Sequence, residues 1–137
     1  QDTIIEILNN PLYSNKNVNF YPEDENIKAF VDKKFLKRAL GNLILNAIIH
    51  NKDSVQIDIS IYKKNRIHIT IKDNGRGISE KDLKYIFERY YRGTNTSSSI
   101  EGSGLGMAIS KQIIDAQDGS INIESALGKG TTINIIL

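Results

Sequence analysis

The sequence predicts an α/β sandwich (α+β), with helices packed on one face of a mixed, largely antiparallel sheet of about five strands. Three patterns predict this class. A helix of about sixteen residues, 36–51, carries a long apolar face. Two strands rich in isoleucine follow it with strict alternation, and a second alternating pair closes the chain. One helical layer and one sheet can then bury each other's apolar sides.

The composition fits a single domain over residues 1–137. The chain is 39% hydrophobic and 25% charged, which is enough apolar material for a core. The net charge of +2 and the scattered lysines give no indication of nucleic-acid binding. There is no cysteine, which excludes a disulfide framework and a thiolate metal site and fits a reducing cytoplasm.

No apolar run reaches the roughly 18 residues that a membrane span requires. We therefore expect a cytoplasmic domain that makes no direct membrane contact. The chain begins at Gln1, without an initiator methionine, and we interpret it as a fragment of a longer protein. Whether that parent protein is membrane-anchored stays open.

The first third of the chain predicts a short helix and two strands. Residues 2–10 have helical apolar spacing and end at Pro11. Residues 18–21 and 27–31 are apolar runs that predict strands on either side of a turn. Asp32 is the predicted N-cap of the central helix.

The remaining elements alternate in the same way. Residues 55–61 and 67–71 predict an antiparallel hairpin whose turn is 63–65. Ser79 is the predicted cap of a helix over 80–87. Three further predictions complete the chain: a loop without periodicity at 90–103, a helix over 105–117, and a hairpin closing around 127–130.

The central helix carries a polar stripe on an otherwise apolar element. Arg38, Asn42, Asn46 and His50 are four residues apart and therefore follow one another along one side of the helix. A solvent-facing stripe explains them simply. Asparagine is, however, a mediocre helix former, and its amide oxygen is a suitable ligand for Mg²⁺. Taken alone, the stripe leaves both interpretations open.

The hexapeptide DNGRGI, 73–78, interrupts the second strand with an acid and two glycines. An ordinary turn accounts for it. A functional interpretation gives Gly75 and Gly77 the task of letting the backbone lie against a planar group. Asp73 would then accept a hydrogen bond from an exocyclic amine such as adenine N6.

A second glycine cluster, Gly102, Gly104 and Gly106, precedes the predicted helix over 105–117. Backbone N–H groups in such a loop and the positive end of the helix dipole together favour phosphate. The cluster is not a Walker loop, because no Gly-Lys-Ser/Thr follows, and it is not a dinucleotide-binding fingerprint.

Four sequence boxes in this order resemble the catalytic and ATP-binding domain of bacterial sensor histidine kinases. The boxes are the helix segment from Asn42 to His50, DNGRGI, FERYYRG and GSGLG, and a final GKGTTI at 128–133 also matches. The superfamily includes DNA gyrase B, the Hsp90 chaperone and MutL. The resemblance covers nearly the whole chain after Asp32 and implies a Bergerat-type ATP-binding fold.

The resemblance also implies ATP and Mg²⁺ as cofactors and assigns roles to matched positions. Asn46 would ligate the metal, and Asn42, Asn46 and Arg92 would be the catalytic residues. Phe87 and Tyr90 would dock the helices of a partner. The implied ATP-binding residues are Asn42, Asn46, His50, Asp73, Gly75, Gly77, Ile78, Tyr91, Arg92, Gly102, Ser103, Gly104, Leu105, Gly106 and Thr131.

The implied activity is transfer of the ATP γ-phosphoryl group to a histidine on a separate dimerisation hairpin, for relay to the receiver domain of a response regulator. The acceptor histidine of the family lies on a helical hairpin, and neither His50 nor His68 is in such a segment. The chain is therefore expected to be inactive without its phosphoacceptor domain.

Two alternatives remain at this stage. One is an ATP-gated clamp of the gyrase, Hsp90 or MutL type, although those relatives generally carry a glutamate where this chain has Asn42. The other is a catalytically weak nucleotide-binding module. It is suggested by Ile49, which stands where the family usually has lysine or arginine.

Overall fold

The computed structural model describes residues 1–24, 26–52, 54–88 and 106–137. A single 3-10 turn, Pro11–Tyr13, follows the first helix. The helices are α1 (Asp2–Leu8), α2 (Lys33–Ile49), α3 (Glu80–Leu83) and α4 (Gly106–Ala116). The strands are β1 (Asn17–Pro22), β2 (Gln56–Lys63), β3 (Ile67–Asp73), β4 (Ser120–Ser125) and β5 (Thr131–Ile136).

These strands form one five-stranded sheet in the order β1-β2-β3-β5-β4. Only β1 and β2 pair in parallel, while the other three pairings are antiparallel. The predicted mixed, largely antiparallel sheet of about five strands is confirmed. Because β5 lies between β3 and β4, the last strand of the chain brings Thr131 opposite Asp73 at the end of β3.

One face of the sheet is apolar and is covered by helices. Alternate residues of β2, β3 and β5 are buried there together with the apolar sides of α1, α2 and α4. The opposite face is polar, as the alternation predicts, and His68 lies on it, stacked on Tyr62 with ring centroids 4.7 Å apart. Isoleucine suits these strand positions because a β-branched side chain packs well on a pleated surface.

The capping predictions for α2 and α3 are confirmed. The Asp32 carboxylate accepts from the backbone N–H groups of Lys34 and Phe35, so α2 begins at Lys33, three residues before the predicted apolar stretch. The Ser79 hydroxyl accepts from the N–H of Asp82. A cap satisfies N–H groups that have no partner within the helix, and this fixes where each helix starts.

The predicted strand over 27–31 is wrong, because this segment is an irregular connection between β1 and α2. Ile27 is buried, but Phe30 is fully exposed and Val31 only half-buried. The apolar run therefore lacks the two-residue alternation that a strand on one sheet face requires. The prediction relied on the apolar composition of 27–31, but this segment buries only the side chain of Ile27 in the core.

The helix predicted over 80–87 is shorter than expected and ends at Leu83. The N–H of Tyr85 bonds to Asp82 O and that of Glu88 bonds to Tyr85 O, which are three-residue turns. The apolar residues of 84–87 thus remain in turns and do not extend α3. Within the described parts of the chain, no helix is long and apolar enough to cross a membrane.

Candidate functional site

The polar stripe of α2 is partly covered by neighbouring structure. Asn42, Asn46 and His50 are half-buried, whereas Arg38 is exposed. Asn42 faces the start of α4, since a Cβ placed on Gly106 would lie 3.9 Å from the Asn42 Cβ. The stripe therefore runs from the N-terminus of α4 to the C-terminal end of α2, where His50 is the C-cap. Ile49 is the last residue of α2 and is half-buried.

The position of α4 against α2 is fixed by a buried serine. Ser110 is fully buried, and its hydroxyl donates to the carbonyl oxygen of Ala39 at 3.0 Å. A helix of this length carries about half a positive charge at its N-terminus. The positive end of α4 consequently lies beside Asn42. Sequence reasoning missed Ser110, because a serine inside an apolar helix face gives no indication of its partner.

Asp73 is a buried carboxylate at the end of β3, with only 7% of its surface exposed. Burial raises the pKa of Asp73 above its ordinary value, while hydrogen bonds from the backbone N–H groups of Gly75 and Thr131 oppose this rise. The Gly75 N–H donates to Asp73 Oδ1 at 2.8 Å. A carboxylate has about four acceptor positions, so these bonds leave capacity for a further donor such as an amine.

The 73–78 turn is held from the side of α2 by Asn51. The Asn51 side chain donates from Nδ2 to the Ala47 carbonyl at 2.7 Å and accepts at Oδ1 from the Arg76 N–H at 2.9 Å. Glycine at position 75 leaves room for the Asn51 amide, which a Cβ at this position would overlap. Asn51 thus joins the end of the asparagine-bearing helix to the turn that carries Asp73.

The same turn is held from the opposite side by the β4–β5 hairpin. The Ser125 hydroxyl accepts from the Ile78 N–H at 2.8 Å, donates to the Gly130 carbonyl at 2.9 Å and lies 2.8 Å from Thr131 Oγ1. Gly77 has φ +73°, and a Cβ there would meet the Ala126 carbonyl oxygen. The hairpin therefore packs directly on the turn, which only glycine permits.

Sequence reasoning did not select Asn51 or Ser125. Asn51 lies directly after the last matched residue of the helix box, and Ser125 lies three residues before the GKGTTI box. The signal that could have found them is their polarity at the edge of two matched boxes. Their partners, however, are 25 and 47 residues away in the chain, which no local pattern indicates.

The structure brings together Asn42 with Gly106, and Asp73 with Gly75 and Thr131, as described above. Gly77 and Ile78 complete the turn. Phe87 lies nine residues after Ile78 in the sequence. Its side chain is half-buried, and the Lys111 ammonium is 5.7 Å from its ring centroid. Seven other predicted residues lie outside the described parts of the chain: Tyr90, Tyr91, Arg92, Gly102, Ser103, Gly104 and Leu105.

A protein cage for a metal ion is not present in the described ranges, which contain no group of three or more His, Cys, Asp or Glu suited to one. The predicted metal residue is an amide, Asn46, and Mg²⁺ commonly binds through one or two protein oxygens plus substrate phosphates and water. The side-chain chemistry along α2 therefore fits a metal that arrives with a phosphate-bearing ligand.

A family model described as histidine kinase-, DNA gyrase B-, and HSP90-like ATPase matches residues 31–137. The chain is 36% identical to the sensor histidine kinase YvrG of Bacillus subtilis, over 99% of this chain and 24% of that protein. It is 33% identical to the sensor histidine kinase WalK of the same species, over 83% of this chain and 19% of that protein. The chain spans about a fifth to a quarter of the length of these relatives.

The fold is also similar to that of a solved structure, the mycobacterial sensor histidine kinase MprB. The TM-score is 0.82 at 26% identity, and the match covers 99% of this chain and 91% of that one. The match includes the α1 and β1 region that precedes the family model.

Proposed function

The chain belongs to the histidine kinase-, DNA gyrase B-, and HSP90-like ATPase family as an ATP-binding domain of the sensor histidine kinase type, and we propose that it transfers the ATP γ-phosphoryl group to a histidine on a separate dimerisation hairpin. The phosphoryl group would then pass to the receiver domain of a response regulator. Without the hairpin the domain binds nucleotide but has no acceptor.

One observation carries this proposal: α2 meets the start of α4 at Asn42, and Asn51, two residues after the end of α2, bonds to the Asp73 turn. At 1.5 Å per residue, the helical segment from Asn42 to Ile49 is about 10 Å long. Asn46 lies between them. A ligand lying along α2 would therefore meet a buried carboxylate at one end and the positive end of a helix at the other.

This layout supports the roles that the resemblance implies for the matched residues. Asp73 accepts from adenine N6, and the backbone of Gly75, Gly77 and Ile78 lines the base, with Thr131 beside Asp73. Asn46 would hold Mg²⁺ through its amide oxygen, with Asn42 and His50 on the same side of α2. The resemblance further implies that Arg92 would reach the γ-phosphate and that Gly102, Gly104, Leu105 and Gly106 would close over the phosphates. Tyr91 and Ser103 are implied as further ATP-binding residues.

Asn46 would hold Mg²⁺, which would supply positive charge against the phosphate oxygens. The chain's own residues bind and orient the nucleotide. Asn42 occupies the place of the glutamate in the hydrolysing relatives, and its amide cannot accept a proton at neutral pH. A base that activates water commonly contributes about 10² to 10⁴ in rate, so hydrolysis should be slow. A neutral imidazole nitrogen already has its lone pair available, so a histidine acceptor needs less help from a base than water does.

Phe87 gives this proposal a docking position for the hairpin. Its ring is half-exposed on the turn after α3, with the Lys111 ammonium beside it. The helices of the hairpin would dock on Phe87, and the resemblance implies the same role for Tyr90. Lys111 belongs to α4, whose N-terminus lies beside Asn42.

The test follows the γ-phosphate of labelled ATP into acid-labile phosphohistidine on a supplied hairpin and into free phosphate. We expect Mg·ATP binding, labelling of the hairpin and negligible multiple turnover by this domain alone. Asn46→Ala should abolish labelling, because the metal loses its protein ligand. Asn122→Ala is the matched control, since it removes an exposed asparagine on β4 far from α2.

Rapid multiple-turnover release of phosphate by this domain alone would contradict the kinase proposal in favour of an ATP-gated clamp. Mg·ATP binding with no labelling of any hairpin would instead indicate a weak nucleotide-binding module.

A further inference from the structure

Asn51 uses both ends of its side-chain amide and connects two elements of the site. Nδ2 donates to Ala47 O at 2.7 Å, within the last turn of α2. Oδ1 accepts from the Arg76 N–H at 2.9 Å, on the turn that follows Asp73. The side chain is half-buried and packs against Gly75, where a Cβ would overlap it.

A purely structural explanation is that Asn51 finishes a helix. The chain contains the same arrangement elsewhere, in Gln117. Gln117 Nε2 donates to Ile113 O at 3.4 Å at the end of α4, and its Oε1 accepts from the Asp32 N–H at 2.8 Å. Both amides bridge the carbonyl four residues earlier to a backbone N–H of another segment. They differ in the segment they hold: Asp32 starts α2, whereas Arg76 is three residues after Asp73.

We propose that Asn51 is a positioning residue for the nucleotide, which fixes the 73–78 turn on the end of α2. This inference rests on the proposed function, because it assigns the 73–78 turn to the base and Asn46 to the metal. One side chain would set the spacing between these two parts of the site. Removing it leaves Asp73, Asn46 and the bond from Ile78 to Ser125 in place but ends the attachment of the turn to α2.

The affinity test compares Mg·ATP with ADP in the absence of Mg²⁺. We expect Asn51→Ala to weaken both ligands by about the same factor, roughly tenfold for one lost positioning bond. Asn46→Ala should instead reduce only the part of the affinity that depends on Mg²⁺. Gln117→Ala is the matched control: it should lower the melting temperature about as much as Asn51→Ala and leave both affinities unchanged.

The effect should also depend on Asp73. If Asn51 acts by positioning the Asp73 turn, Asn51→Ala should weaken ADP binding less in an Asp73→Ala background than in the parent. Equal losses in both backgrounds would show that Asn51 acts independently of Asp73, and the inference would be overturned.

Amide hydrogen exchange in the nucleotide-free domain tests the arrangement without any ligand. We expect the Arg76 amide to exchange faster in Asn51→Ala than in the parent. Asn51→Asp separates the two bonds, because a carboxylate still accepts from Arg76 but cannot donate to Ala47, so protection of Arg76 should persist there. Equal loss of protection in both variants would assign the effect to the helix end and contradict the inference.

Failure of the inference is distinguishable from failure of the proposed function. A parent domain that does not bind ATP contradicts the function. A parent that binds ATP, with Asn51→Ala binding equally well, contradicts only the positioning role.

Discussion

Asp73 illustrates at the level of one residue how a site can lower the stability of its own domain. Its carboxylate is buried, and burial raises its pKa despite two backbone hydrogen bonds. A raised pKa means that the folded state favours the protonated acid. The charged form at neutral pH therefore reduces stability in the free domain, and this contribution disappears as the pH falls through the raised pKa. A ligand amine would stabilise the charged form.

Asp73→Asn should consequently weaken ATP more than tenfold while keeping the free domain at least as stable as the parent at pH 7. The affinity loss reflects a charge-assisted hydrogen bond worth about 1.5 to 3 kcal/mol. The difference in unfolding free energy between Asp73→Asn and the parent should decrease as the pH falls, because Asp73 of the parent then becomes protonated. Calorimetry and thermal unfolding between pH 7 and pH 4 measure both quantities.

Asp58→Asn on β2 is a control for which we expect the opposite effect on stability. Hydrogen bonds from Asn19 and Gln56 lower the pKa of Asp58, so its charge stabilises the fold above its ordinary pKa and this is lost as pH falls. The Asp58→Asn variant should be less stable than the parent at pH 7, with a deficit that shrinks only at lower pH. A large loss of stability in Asp73→Asn at pH 7 would contradict our account of its burial.

At the level of elements, the 73–78 turn depends on close packing with α2 and with the β4–β5 hairpin. Gly75→Ala should destabilise the domain, because the new methyl group overlaps the Asn51 amide. The position has no positive φ, so the overlap with Asn51 is the obstacle. Adding Asn51→Ala should restore space, and the double variant should be more stable than the sum of the two single changes predicts.

Urea unfolding of the four proteins in this cycle measures the coupling. Gly41→Ala is the control, since a Cβ on Gly41 meets nothing within 4 Å. It should stabilise α2 by up to about 1 kcal/mol, as expected for glycine replaced by alanine in a helix. If the losses of unfolding free energy in Gly75→Ala and Asn51→Ala are additive, the two side chains are not coupled. The 73–78 turn would then move away from α2 when a methyl group is added at position 75.

Helices and strands with strong periodicity were predictable from the sequence, and contacts between them were not. Alternating isoleucines predicted β2 and β3, and Asp32 predicted the start of α2, because these signals are local. The strand predicted over 27–31 was wrong because burial of Ile27 alone does not produce a strand. The polar stripe indicated a site, but the bonds of Asn51 and Ser125 depend on residues brought close only by folding.

At the level of the whole molecule, the sheet order could not be derived from periodicity. The sequence predicts five strands without stating that β5 lies between β3 and β4. This insertion brings Thr131 opposite Asp73, so the site combines the end of the first hairpin with the start of the last strand. The family resemblance assigned both residues, and the strand register explains how they meet.

The same strand order has a consequence for the rate at which the molecule forms and opens. β2 and β3 make a local hairpin, whereas Thr70 on β3 bonds to Asn134 on β5 across 64 residues of sequence. Distant pairings must first overcome the entropy of closing a long loop, so we expect β5 to add after the folding transition state. Ile59→Val should then slow refolding, while Ile135→Val should mainly accelerate unfolding.

Both side chains are almost fully buried, at 1% and 0% exposure, so the two substitutions are closely matched. Stopped-flow refolding and unfolding in urea distinguish them, and equal slowing of refolding by both would place β5 in the nucleus. Because Thr131 lies on the late strand, the adenine pocket that we propose would be completed only after the rate-limiting step. Bound nucleotide should therefore prolong the lifetime of the folded domain without making it fold any faster.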